Sequence, residues 1–307
     1  MSCFTMPRGY RWCLATCLAW LLCTGAAQAA EAGPPTEESA RLGFYMKIAR
    51  DLNRADVRAA MEVWAQELMR KFRVPSEVRY YAEIEALRRD FDAGRVNLVI
   101  ADAMSFVRHF KPEELADGFT TRLTTDASLL LLARTDGKHD RQFYGKRIAL
   151  IEDDEVSHTY LETLCLRYAG KPCAAIPVTF VPVPNNHQAL TRLLFGQVDF
   201  ALVNRHGLET AVELNPQLRK AGVVVDRLDF ETQFFGFYST AVSPEFRQYS
   251  LRSIPDMHLE PRGRQMLDVF KTERVIPAQT AQLKPFYQLE RDYRALLAGM
   301  SHKGRQP

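Results

Sequence analysis

GQVDFALVN, residues 196–204, repeats the pattern of GRVNLVIAD, residues 94–102. Each opens on a glycine, carries Val two places later, and runs through an apolar stretch to a final Asn or Asp. The segments in front also match: EALRRDFDAG (85–94) and QALTRLLFG (188–196) both place Ala-Leu on a helical pattern that stops at that glycine. Glycine is the residue that most cheaply takes the left-handed conformation closing a helix. Each unit therefore reads as helix, tight turn, buried strand and a polar residue at the strand's carboxyl end. One such unit is common to many α/β proteins and decides nothing. Two aligned copies predict two lobes of similar build.

Outward from the repeats, strands and helices alternate. RLGFYMKI (41–48) is a strand candidate, DVRAAMEVWAQELMRKF (56–72) has apolar residues at helical spacing, and VRYYAEI (78–84) is a second strand before the first repeat unit. A second round runs through the strand GKRIALI (145–151), the helix VSHTYLETLCLRYAG (156–170), the strand VTFVPV (178–183) and the second unit. This predicts an α/β chain of two Rossmann-like lobes with largely parallel sheets. Neither first strand is followed by G-x-G-x-x-G, so no dinucleotide cofactor is expected, nor any other cofactor. Two long extended runs, LTTDASLLLLART (123–135) and FETQFFGFYSTAV (230–242), flank the second round and read as hinge strands crossing between lobes. The first lobe is then 40–127 plus 236–300, and the second is 128–235. PRGRQMLDVFKT and LKPFYQLERDYRALLAG read as helices returning to the first lobe.

The amino end differs from the rest. Arg8 and Arg11 precede the apolar CLATCLAWLLC (13–23), and small residues follow at Ala27 and Ala29. That order is a secretory signal over 1–29, too short to span a bilayer comfortably, with cleavage expected after Ala29 and a periplasmic product. A lipoprotein is a weaker reading, because neither Cys17 nor Cys23 is preceded by a small residue. The chain has 40 Lys and Arg against 37 Asp and Glu, and losing Arg8 and Arg11 leaves it nearly neutral. Nucleic acid and anionic membrane are then poor partners, since both need a concentrated basic face. Only Cys165 and Cys173 remain of the six cysteines. In an oxidising compartment that pair predicts a disulfide, the alternative being two buried thiols.

Taken together, DLNRADVRAAMEVWAQEL, EALRRDFDAGRVNLVIAD, GKRIAL, NNHQALTRLLFGQVDFALVN and YQLERDYRAL resemble the periplasmic solute-binding proteins of phosphate, phosphite and phosphonate ABC transporters. The resemblance implies the type II periplasmic-binding-protein architecture, a small-molecule ligand enclosed between two lobes, and no enzymatic activity. It also implies a membrane partner, an ABC permease or, alternatively, a sensor kinase for which the protein serves as co-receptor. A monomer is expected.

Ligands of open α/β sheets sit beyond the carboxyl ends of the strands, where helix starts expose N–H groups. The positions meeting that rule are Tyr45, Asp102, Ser105, Ser157, His158, Asn186, His187 and Asn204, and Asp126 on the first crossing adds a negative charge beside the cleft. Each has a structural alternative: Tyr45 as core, Ser105 and Asn186 as helix caps, His187 as a first-turn surface residue, Asp102 and Asn204 as turn formers. The resemblance singles out His187, because phosphonate-binding members carry a histidine before the same Ala-Leu helix. One departure stands out. Those members offer Ser and Thr at the start of a second-lobe helix, whereas this chain has EDDEVSHTY (152–160). With Glu152, Asp153, Asp154 and Glu155 flanking the cleft a dianion is repelled, so weak or no binding of phosphate and alkylphosphonates is expected, and tighter binding of an amine-bearing or neutral solute lying against Tyr45, Phe234, Phe235 and Phe237. If those carboxylates only sweeten the helix dipole, the oxyanion stays. Catalysis through Cys165, His158, Asp153 and Asp154, or a metal held by Tyr45, His187 and Asp102, lacks any motif with catalytic or ligand spacing. No metal is expected.

Overall fold

The computed structural model describes residues 38–46, 54–135, 143–232, 234–269 and 271–303; the leader expected at 1–29 lies outside them. The first lobe opens with β1 (Ala40–Tyr45), α1 (Arg54–Phe72), β2 (Ser76–Tyr81), α2 (Ile84–Asp92), β3 (Leu98–Asp102), α3 (Ala103–His109) and β4 (Leu115–Leu123). The chain then crosses to β5 (Leu129–Ala133), β6 (Arg147–Ile151), α4 (Glu155–Ala169), β7 (Thr179–Val183), α5 (Asn186–Leu194), β8 (Phe200–Asn204), α6 (Arg205–Leu214) and β9 (Val223–Leu228). It returns for β10 (Phe234–Ser239), α7 (Pro244–Leu251), α8 (Pro261–Val269), β11 (Thr272–Ala278) and α9 (Lys284–Lys303).

The repeated stretches fold alike. Gly94 and Gly196 both sit at φ +67°. Behind each, the next residue's N–H reaches back to the last helical turn, Arg95 to the Asp90 carbonyl at 2.8 Å and Gln197 to the Arg192 carbonyl at 2.9 Å. This closure leaves the chain pointed straight into β3 and β8, both buried along their whole length.

Two sheets result, in the orders β11-β4-β10-β3-β1-β2 and β7-β6-β8-β5-β9. The expectation of largely parallel sheets needs correcting. β1 runs parallel to β2 and β3, and β6 to β7 and β8, but β10 is antiparallel to β3 and β4, β11 to β4, and β5 to β8 and β9. Parallel neighbours need a crossover helix, whereas β5 and β10 arrive directly from the other lobe and run back along the strand they meet. The two crossings lie side by side: the Ala127 N–H donates to the Glu231 carbonyl at 3.2 Å, and the Phe230 N–H to Ser128 Oγ at 3.3 Å.

Apolar layers cover both faces of the first sheet. α1 packs one face through Trp64, Leu68 and Phe72, while α2 and α3 pack the other through Leu87, Phe91 and Phe106. α9 departs from the expected packing on the first lobe alone. It lies against α3 and α4 together, with Phe286 against Phe230 of the second crossing at 4.8 Å between ring centroids. Arg108 of α3 ties this junction, contacting Glu290 of α9 at 3.0 Å and Glu155 and Thr159 of α4 at 3.3 and 2.7 Å. Strand β11, unforeseen from the sequence, lies between α8 and α9. Cys165 and Cys173 form the expected disulfide, pinning the end of α4 to the turn after Gly170.

Candidate functional site

Between the two sheets lies a cleft of about 480 Å³. Its second-lobe wall is built from two helix starts locked together. Asn185 caps α5 by accepting the Gln188 N–H at 3.0 Å, and Asn204 caps α6 by accepting the Gly207 N–H at 2.6 Å. Asn186 joins them, since its buried side-chain oxygen accepts the Asn204 N–H at 3.0 Å. The approach is close enough that a Cβ on Gly207 would lie 2.1 Å from the Asn186 side-chain nitrogen. His187, in the first turn of α5, stands exposed on this wall.

The facing wall is of a different character. Phe44 of β1, Trp64 of α1 and Phe119 of β4 pack ring to ring, with Met61 and Ile100 beside them. Thr120 and Thr121 of β4 and Thr232 of the second crossing add hydroxyls. The Thr120 hydroxyl donates to the Phe234 carbonyl, whereas that of Thr121 is buried with no hydrogen-bond partner among the described residues. At the mouth, Lys271 reaches Glu213 of α6 at 3.7 Å, joining one lobe to the other.

Of the predicted positions, Asn186, His187 and Asn204 come together on the cleft wall; the other six do not line it. Tyr45 is buried in the core on the opposite face of β1 from Phe44, because neighbouring strand residues point to opposite sides. Asp102 and Ser105 are consumed by each other: Asp102 caps α3, accepting the Ser105 N–H at 3.0 Å and its hydroxyl at 2.7 Å. Ser157 is fully buried and donates to the cap Asp154 at 2.6 Å. Asp126 accepts the Ser128 N–H at 3.1 Å and pairs with Arg205 at 3.1 Å. Burial works against its charge, but these partners prevail and hold its carboxyl below the usual range. His158 faces a separate shallow hollow with Glu152 and Asp153.

The acidic stretch is therefore not the barrier expected. Glu152 and Asp153 face that outer hollow, and Glu155 pairs with Arg108. Only Asp154 lines the cleft, and it is buried as the cap of α4. The charged or titratable groups along the lining are Asp154, His187, His206 and Lys271. Burial depresses the pKa of His206, opposed by Glu213 and reinforced by Lys271, so its imidazole is neutral at pH 7. Of the four aromatics expected beside a ligand, Phe234 and Phe235 reach the cleft while Tyr45 and Phe237 belong to the core. Sequence reasoning missed Trp64, Phe119, Thr121 and Lys271, and from the Phe44-Tyr45 strand end it chose Tyr45. Phe44 lies one residue from the expected Tyr45, and the alternation along β1 was the available signal. Among the described residues no group of His, Cys, Asp or Glu has the arrangement of a metal site.

The profile of the phosphonate ABC transporter periplasmic substrate-binding proteins matches residues 47–283. Among curated protein sequences none matches. Solved structures share the fold at low identity. The binding-protein component of a phosphonate ABC transporter from Pseudomonas aeruginosa is 12% identical, with 86% of this chain and 89% of that one covered and a TM-score of 0.61. PhnD1 of Prochlorococcus marinus, in complex with methylphosphonate, is 14% identical over 83% of this chain and 98% of that one, with a TM-score of 0.58. A Xanthomonas citri protein bound to ATP is 13% identical over 85% and 98%, with a TM-score of 0.61. Most of the chain, both lobes included, falls within the matched profile, and the protein belongs to the periplasmic substrate-binding family of phosphonate ABC transporters, whose members bind and deliver a solute and are not enzymes.

Proposed function

We propose that this protein carries a small oxyanion, a phosphonate or phosphate monoester, with its oxygens against the second-lobe wall formed by Asn185–His187 and Asn204–Gly207. The observation that carries this is the pair of helix starts fused on that wall. Such starts carry partial positive charge and N–H groups suited to anions. His187 stands there as a further donor, and the one carboxylate on the lining is already occupied as a cap. Two fold neighbours, one holding methylphosphonate and the other ATP, share phosphorus-bound oxygens as ligand chemistry. The buried Thr121 hydroxyl supplies one more group for a ligand to satisfy.

The family's location is the periplasm, and no helix among the described residues is long and apolar enough to cross a membrane. The finer reading is export with cleavage after Ala29, lobes at 40–127 plus 236–300 and at 128–235, and a monomer that closes on its ligand and presents it to the permease. A sensor kinase as receiver uses the same clamp and leaves the ligand assignment unchanged.

Calorimetry tests the ligand assignment. Methylphosphonate or inorganic phosphate should bind wild type with a Kd in the micromolar range, and His187→Ala should weaken it at least tenfold. No heat from either compound up to millimolar concentration refutes the assignment.

A further inference from the structure

We infer that the ligand bears a flat or bulky apolar substituent that lies against the Phe44–Trp64–Phe119 wall of the first lobe, an inference that rests on the oxyanion reading of the opposite wall. The Trp64 ring meets Phe44 edge-on at 5.8 Å between centroids and Phe119 at 5.8 Å with a 40° tilt, a connected aromatic cluster that borders the cleft chiefly through Trp64, which is 9% exposed against 2% for Phe44 and 3% for Phe119. Size is the first argument. Methylphosphonate displaces roughly three or four waters, about 100 Å³ at ~30 Å³ each, and the cleft holds about 480 Å³. A head of that size takes up roughly a fifth of that space.

Closure supplies the second argument. A ligand draws two lobes together only through contacts it makes in the closed state and lacks in the open one, so it must touch both. The first lobe offers Lys271 as its charged group on the lining, and that side chain pairs with Glu213 across the mouth. Beside it that side offers the hydroxyls of Thr121, Thr232 and Thr272 and, with Met61, Ile100 and Leu123, the cleft-facing edge of the aromatic cluster, an apolar border that rewards a ring or branched alkyl group through burial and offset stacking. The polar wall sets the head group and the aromatic wall selects what hangs from it. Trp64 is thereby a specificity-determining residue, and a ligand no larger than methylphosphonate binds through its head group alone.

The test is a titration of wild type with methylphosphonate and with phenylphosphonate, followed by calorimetry and by tryptophan fluorescence. The chain has three tryptophans, Trp12, Trp20 and Trp64, so the signal of Trp64 is the change that disappears in Trp64→Phe. Phenylphosphonate should bind at least tenfold tighter than methylphosphonate and alter the Trp64 emission. Methylphosphonate binding as tightly as phenylphosphonate overturns the inference and leaves the oxyanion reading standing, as does tighter phenylphosphonate binding with a silent Trp64. Failure of both compounds to bind overturns both. The ligand ranking needs only wild-type protein and can overturn the inference even if Trp64→Phe does not fold.

Discussion

Gly207→Ala isolates the joint on which the second-lobe wall depends. Gly207 has no positive φ, so alanine imposes no backbone strain there, and the effect comes from contact alone. The added methyl would lie 2.1, 2.4 and 2.9 Å from the Nδ2, Cγ and Cβ of Asn186, a side chain that is 2% exposed and has nowhere to retreat. Overpacking of this kind costs about 1–3 kcal/mol. If Asn186 swings away instead, the Asn204 N–H loses the acceptor it holds at 3.0 Å, and a buried orphaned donor costs about 1–3 kcal/mol. Exchanging glycine for alanine in a helix returns about 0.5–1 kcal/mol. The net expectation is a loss of about 0.5–2 kcal/mol in urea unfolding of the ligand-free protein. A double-mutant cycle sharpens it: Asn186→Ala removes the two nearest clashing atoms, Nδ2 and Cγ, and leaves only the Cβ at 2.9 Å, so the double variant should be more stable than the sum of the two single losses by at least about 1 kcal/mol. A single variant within about 0.5 kcal/mol of wild type, or strict additivity, refutes the reasoning.

Three further expectations follow from other parts of the molecule. The disulfide joins residues eight apart, and that loop length gives about 2.5 kcal/mol of stabilisation in the chain-entropy account; Cys165→Ala/Cys173→Ala should lose roughly that much in urea, and unreduced, denatured wild type should label at neither cysteine. Because burial lowers the His206 pKa, the unfolded chain binds a proton that the folded one refuses just below pH ~6.5. Stability should therefore fall as pH drops through that value toward the lowered folded pKa and level off beneath it, and His206→Gln should flatten the slope in thermal unfolding between pH 7 and 5. Arg108→Ala removes contacts to Glu155, Thr159 and Glu290, and as Arg108 is partly exposed the loss should be about 1–2 kcal/mol by the same urea assay.

Much of this architecture is legible in the residues, and the reasons for the rest are specific. The helix-Gly-strand repeat could be found because a left-handed glycine and a buried apolar run each leave a local mark. Asn186, His187 and Asn204 were placed on the cleft by the rule that sites gather at strand ends. That rule gives the end of the strand and not the side. Tyr45 and Phe44 differ by one position and face opposite layers, and Ser105 and Ser157 turn inward to their own caps three residues back. The charges at 152–155 could not be assigned to a face until α4 was positioned, since a first helical turn points in several directions. The bridging role of α9 depends on Arg108 and Phe230, both distant in sequence, and no periodicity carries that information.

On the proposed reading the fused starts of α5 and α6 hold an oxyanion head between two closing lobes. A crystal structure grown with methylphosphonate or phenylphosphonate tests it most directly. The phosphorus should lie between the two sheets, with its oxygens within hydrogen-bond distance of His187 and the first turns of α5 or α6. A phosphonate seated instead at the Asp-capped starts of α3 and α4, or outside the cleft altogether, would contradict it.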